Sequence, residues 1–85
     1  MSADNELAIA TFTDCIVVQM QFASYFWDEQ VQNDPEYVRE AFSNPIIFHT
    51  IQNAEKYAFK EENKSYYEYG IGYYDYAYPL VPKNT

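Results

Sequence analysis

No lysine, arginine or histidine occurs in the first thirty-eight residues of this 85-residue chain, whereas seven carboxylates do: Asp4, Glu6, Asp14, Asp28, Glu29, Asp34 and Glu36. The imbalance extends to the whole sequence, whose formal net charge is −8. Binding DNA, RNA or anionic lipid depends on cations that neutralise phosphates, so this balance argues against direct contact with any of them. Cysteine and histidine are nearly missing too. Cys15 alone cannot form an intramolecular disulfide, and with His49 as the single histidine there is no pair to hold a structural zinc. No metal or other cofactor is expected, and a reducing, cytoplasmic setting follows. Long apolar stretches are absent as well. The longest run free of acidic, basic and histidine residues, Cys15 to Trp27, holds thirteen residues and is interrupted by Gln19, Gln21 and Ser24. That falls short of the roughly 20 needed to span a bilayer. The opening residues carry no basic stretch followed by an apolar one, so nothing suggests export.

What the chain has instead is aromatic residues. Six Phe, ten Tyr and one Trp can each bury about 150–250 Å². That is enough for a core in one small domain, a size at which net stability is otherwise about 3–5 kcal/mol.

The stretch Glu6 to Thr13 alternates around Leu7, Ile9 and Thr11 on one side and Ala8, Ala10 and Phe12 on the other, which predicts a strand covered on both faces. Asp14 and Cys15 break it. A second strand follows, with Ile16, Val18, Met20 and Phe22 on one face and Gln19 and Gln21 on the other, continuing toward Tyr25, Phe26 and Trp27. Asp34-Pro35-Glu36 is a helix start, combining an N-cap acceptor, a proline suited to the first position and an acid in the first turn. This helix runs to about Phe42, with Val38, Ala41 and Phe42 buried, and Asn44-Pro45 stops it. Ile46 to Phe48 reads as a short strand. Thr50 caps a second helix to about Asn63, whose apolar face is Ile51, Ala54, Tyr57 and Ala58. The last predicted strand, Tyr66 to Tyr78, separates Tyr67, Tyr69, Ile71 and Tyr73 from Tyr66, Glu68, Gly70, Gly72, Tyr74 and Tyr76. The face carrying Ile71 is the expected helix-packed side.

The order strand-strand-helix-strand-helix-strand predicts a small α+β domain over residues 1–78, a four-stranded sheet with two helices on one face. Residues 79–85, with Pro79 and Pro82, read as an extended or frayed tail. The second sheet face would then present Val17, Phe12 or Leu7, Tyr74 and Tyr76. That is apolar enough to suggest a partner, for example a homodimer, unless those residues are scattered among polar neighbours.

In this order the chain resembles a family of short, uncharacterised tailed-bacteriophage proteins. The matching residues are Ala3-Asp4-Asn5 with Ile9, Tyr37-Val38 and Phe42, Ile47-Phe48, Ala54 with Tyr57-Ala58, and Glu68-Tyr69-Gly70-Ile71. It departs from the family at Glu6, where glycine is common, and at Val17-Val18-Gln19-Met20-Gln21, where the family carries histidine and arginine. The resemblance implies a phage origin and a small α+β fold, and it transfers no catalytic residue.

Catalytic equipment is sparse. Cys15 and His49 are half a chain apart, no serine sits in a small-residue elbow, and there is no glycine-rich phosphate loop. The adjacent carboxylates Asp28-Glu29 and Glu61-Glu62 seldom converge on one substrate atom. The expected function is therefore binding without catalysis: an acidic protein that inhibits a basic host protein, one that handles nucleic acid or serves in defence, such as a CRISPR effector or a restriction enzyme, by offering carboxylates where phosphates sit. Asp28, Glu29, Asp34, Glu36 and Glu40 would pair with its Arg and Lys, and Trp27, Tyr74 and Tyr76 would anchor. An acidic surface that serves only solubility, and a homo-oligomeric structural or accessory protein, are the competing readings.

Overall fold

A computed structural model of the chain describes residues 6–22, 32–68 and 70–81. The elements are β1 (Glu6–Thr11), β2 (Ile16–Phe22), α1 (Pro35–Ala41), β3 (Ile46–Phe48), α2 (Ile51–Ala58), a 3-10 turn (Glu61–Asn63), α3 (Lys64–Tyr67) and β4 (Ile71–Asp75). One sheet of order β3-β2-β1-β4 forms the middle layer. β1 and β2 make an antiparallel hairpin, β3 pairs antiparallel with β2, and β4 returns parallel to β1. The α+β class, the four strands and their order along the chain are those expected from the sequence. Among the described residues no helix is long and apolar enough to cross a membrane.

β1 is central and apolar on both sides: Leu7, Ala8, Ile9 and Ala10 are all buried. Leu7 and Ile9 join Val18, Ala54 and Ala58 in one core, so α2 covers that face. Ala8 and Ala10 join Phe12, Val17, Phe22, Val38, Phe42, Tyr76 and Leu80 in the other, so α1 covers the opposite face. This corrects the expectation of two helices on one face. A strand that is apolar on both sides exposes two faces, and each short helix has only enough apolar surface for one of them. The apolar second face expected to meet a partner is thus covered from within the chain.

Phe22 also changes sides. Two steps along β1, from Glu6 to Ala8, match three along β2, from Phe22 to Gln19. The extra residue is a β-bulge, which shifts the alternation by one and swings Phe22 away from Val18 and Met20 onto the α1 face. There its ring stacks on Phe42 at 4.5 Å. Gln19, expected on a polar face, is buried beneath α1. Its Nε2 donates to the Ala41 carbonyl at 2.8 Å and its Oε1 accepts from the Asn44 amide at 3.1 Å, which satisfies a helix C-terminus that would otherwise end dry.

The last strand is shorter than expected, because Tyr66 and Tyr67 belong to α3 and strand pairing begins at Ile71. Asn63 is buried and donates through Nδ2 to the Tyr57 carbonyl at 2.8 Å, which continues the chain into a further helical turn. Gly70 then reverses direction at φ +149°, a conformation that suits glycine, and its carbonyl accepts from Leu7 N at 3.1 Å to begin the parallel ladder.

The described part of the tail, through Val81, is held as a strap against the body of the fold. Leu80 is buried. Asp14, in the β1–β2 turn, accepts from Leu80 N at 2.9 Å and Val81 N at 3.2 Å. Arg39 of α1 donates through Nε to Leu80 O at 2.9 Å and through an Nη to Pro79 O at 2.7 Å. Burial works to raise the Asp14 pKa, but the amides of Leu80 and Val81, with help from the Cys15 thiol, outweigh it and hold the carboxyl below its ordinary value.

Two outcomes follow for stability. An added Cβ at Gly72 would lie 2.7 Å from Cε2 and the hydroxyl oxygen of Tyr74, so the end of that side chain, packed against Phe22 and Phe42, would have to move. Gly72→Ala should cost about 1–3 kcal/mol in denaturant melts, and combining it with Tyr74→Ala should cost less than the two single losses together. A carboxyl with a lowered folded pKa contributes stability above the ordinary carboxylate range near about 4, and that contribution is lost as pH falls through the folded pKa. Asp14→Asn should therefore be less stable than the parent at neutral pH, with the gap closing in urea titrations as the solution is taken below about pH 4.

Candidate functional site

α1 is built to present one sign of charge. Asp34 caps it, its Oδ1 accepting from Glu36 N at 3.1 Å and Tyr37 N at 3.4 Å. Pro35 occupies the first turn, and Val38, fully buried, fixes the rotation of the helix about its axis. Glu36, Tyr37 and Glu40 consequently face outward. Arg39, the one cation on the helix, is turned back onto the strap, where it bonds the carbonyls of residues 79 and 80 and lies 5.8 Å from the centre of the Tyr78 ring. The outer face of α1 keeps its carboxylates without a neutralising neighbour from the same helix.

An open hollow of about 430 Å³ adjoins the start of α1, lined by Gln32, Asn33, Asp75, Tyr76, Ala77 and Tyr78. The Tyr78 hydroxyl donates to the Gln32 carbonyl at 2.8 Å. Burial pushes the Tyr78 phenol above its ordinary pKa, the Arg39 charge works against that shift, and the Asp34 charge adds to it. Asp34, close enough for its charge to reach Tyr78, and Asp75, far from it in sequence, therefore both lie near this hollow.

Of the residues expected at a partner surface, Asp34, Glu36 and Glu40 are brought together and exposed. Tyr76 is not an exposed anchor. Its ring is buried, stacked on Phe12 at 5.1 Å, and only rims the hollow. Tyr74 is half-buried and packs against Phe22 and Phe42. Alternation assigns both rings to one sheet face but cannot say that α1 covers it. Trp27, Asp28 and Glu29 lie outside the described residues. Among the described residues the exposed Phe and Tyr rings are Tyr37, Phe59 and Tyr73. Tyr37 escaped sequence reasoning although its position beside Glu36 and opposite the core stripe was a usable signal. Tyr73 donates its hydroxyl to Glu55 at 2.6 Å, and that bond, with burial and the carboxylate charge, pushes its pKa up to about 12.

The strand register brings Cys15 and His49 to one end of the sheet, each a step beyond the Ile16–Phe48 pair. The thiol donates to Asp14 Oδ1 at 3.4 Å. Burial, that hydrogen bond and the Asp14 charge raise its pKa to about 11, so it is protonated and weakly nucleophilic at neutral pH. Among the described residues no group of three or more His, Cys, Asp or Glu is placed to hold a metal ion. Comparison with protein-family models, curated proteins and solved structures finds no match to this chain.

Proposed function

We propose that this is an acidic binding protein of phage type, without catalytic activity, that engages and inhibits a basic host protein in the host cytoplasm. Targets that handle nucleic acid fit this reading best, among them defence proteins such as a CRISPR effector or a restriction enzyme, because their basic channels accept carboxylates in place of phosphates. The observation that carries the proposal is the outer face of α1. Glu36 and Glu40 are exposed one turn apart while Arg39 is committed to backbone carbonyls on the other side. The net charge of −8 adds a long-range field that steers a basic partner toward this surface and repels free nucleic acid. The phage attribution rests on the sequence resemblance alone.

Changing Asp28, Glu29, Glu36 and Glu40 to their amides should weaken binding to a target captured from host lysate by about tenfold or more and flatten its salt dependence. Stability should be spared, since like charges at i and i+4 repel by a few tenths of a kcal/mol. Equal affinity of variant and parent at low salt would sink the proposal. Replacing Cys15 and His49 together by Ala should leave inhibition of the target intact in a variant that melts like the parent. Lost inhibition with an unchanged melt would point to catalysis instead.

A further inference from the structure

Residues 36–40 and 56–60 carry opposite charges at their first and fifth positions around a shared tyrosine and a small apolar third residue. Glu36-Tyr37-Val38-Arg39-Glu40 lies on α1, and Lys56-Tyr57-Ala58-Phe59-Lys60 covers the end of α2 and the two residues after it. In both, the third residue is fully buried, Val38 against one core and Ala58 against the other. The first and fifth residues of each are exposed, with the tyrosine following the first. Helix α1 thus presents two carboxylates, and the end of α2 with the residues after it presents two ammonium groups, each pair four positions apart in sequence. The basic patch also has a seat for a ring. Phe48, Asn53, Lys56, Tyr57 and Lys60 line an open hollow of about 350 Å³. The Phe48 and Tyr57 rings meet at 5.6 Å, and Lys60 Nζ lies 5.4 Å from the Tyr57 ring centre. Glu55, the carboxylate of α2, accepts from the Tyr73 hydroxyl at 2.6 Å, and Glu61 and Glu62 follow Lys60 in the 3-10 turn, so the patch is basic only at Lys56 and Lys60 themselves.

The two helices cover opposite faces of the sheet, so one molecule cannot bring its own patches together. We infer that the free protein associates head to tail with a second copy of this chain, the α1 face of one copy seated on the α2 face of the next. Antiparallel docking sets Glu36 against Lys60 and Glu40 against Lys56, and delivers Tyr37, itself exposed, to the hollow beside Tyr57 and Phe48. Because the two patches are different surfaces on opposite faces, the contact is heterologous and propagates instead of closing as a two-fold pair. It is also weak, since exposed ion pairs contribute little and are screened by salt. The inference shares Glu36 and Glu40 with the function proposed above but requires no target, so either can fail alone. Where both hold, self-association and target binding compete for the α1 face.

Sedimentation velocity at low salt and protein concentrations on the order of 1 mM, the regime of weak contacts, tests it with Glu36→Lys/Glu40→Lys, Lys56→Glu/Lys60→Glu and their equimolar mixture. The parent should sediment faster as concentration rises, each variant alone should remain monomeric, and the mixture should regain association, because each contact in it again joins opposite charges. Net charge alone predicts the reverse for the first variant, which is less negative than the parent and would associate more readily. A parent that stays monomeric, variants that associate like the parent, or a mixture that fails to recover each overturns the inference. Circular dichroism and thermal melts confirm the fold, and the single exchanges Glu40→Lys and Lys56→Glu, mixed in the same way, carry the test if a double variant does not fold.

Discussion

Everything else in the molecule is arranged around the burial of β1 on both of its faces. Its residues alternate by size as well as by side, and the two cores are complementary in consequence. On one face Leu7 and Ile9 supply the bulk, so α2 must come close, and it does so through Ala54 and Ala58. On the other Ala8 and Ala10 leave a shallow floor that rings fill from above: Phe12, Phe22, Phe42 and Tyr76, several of them in stacked or edge-to-face pairs. Exchanging large for small on either face would leave a void on one side and an overlap on the other, both of which a close-packed interior resists. The abundance of aromatics in a chain this short is explained by that floor. A small domain with alanine at the centre of its sheet needs large side chains from the surrounding elements to reach native packing density.

The aromatic face is enclosed by elements with little apolar surface of their own, and polar groups hold them in place. Gln19 bonds both sides of the α1 C-terminus from within the sheet. Asp14 and Arg39 hold the strap from its two ends of polarity, the carboxylate taking amides and the guanidinium taking carbonyls of nearly the same residues. Such charge-assisted bonds to backbone are stronger than neutral ones, and here they close a lid over Phe12 and Tyr76. The arrangement has an electrostatic consequence. Arg39 points toward the strap and cannot serve the outer surface, so packing of the core and the single sign of the α1 face have one cause.

Much of this was legible in the sequence wherever a local rule governs. Asp34-Pro35-Glu36 and Thr50 began helices as expected, and Glu36 and Glu40 shared an exposed helix face because spacing alone dictates it. Ile71 faced α2 as expected. The failures were all non-local. Nothing in Met20-Gln21-Phe22 announces a bulge, since the extra residue is defined only against its partner in β1. The polar Gln19 sits in a core because α1 ends above it, and Tyr76 is core because Leu80 and α1 close over a face that alternation marks only as apolar. Helical placement on opposite faces was implicit in a β1 apolar on both sides, a signal that was present and outweighed by the simpler two-layer packing.

Four of the described carboxylates divide into two groups that the sequence does not distinguish. Asp14 and Asp34 accept backbone amides and belong to the fold, while Glu36 and Glu40 are exposed on a helix whose position is set by Val38, Phe42 and Arg39. Charge in the first group is fixed by local geometry. Charge in the second is not required by anything beneath it, and its mutual repulsion in water is small enough for a marginal domain to carry. A surface whose charge is not set by the interior is one that an encounter can set, and the outer face of α1 is such a surface. The same logic applies at the end of α2, where Ala58 rather than Lys56 or Lys60 fixes the helix. In both segments a buried residue fixes the backbone and the charged side chains lie outside the core, so their charge can vary without changing the packing.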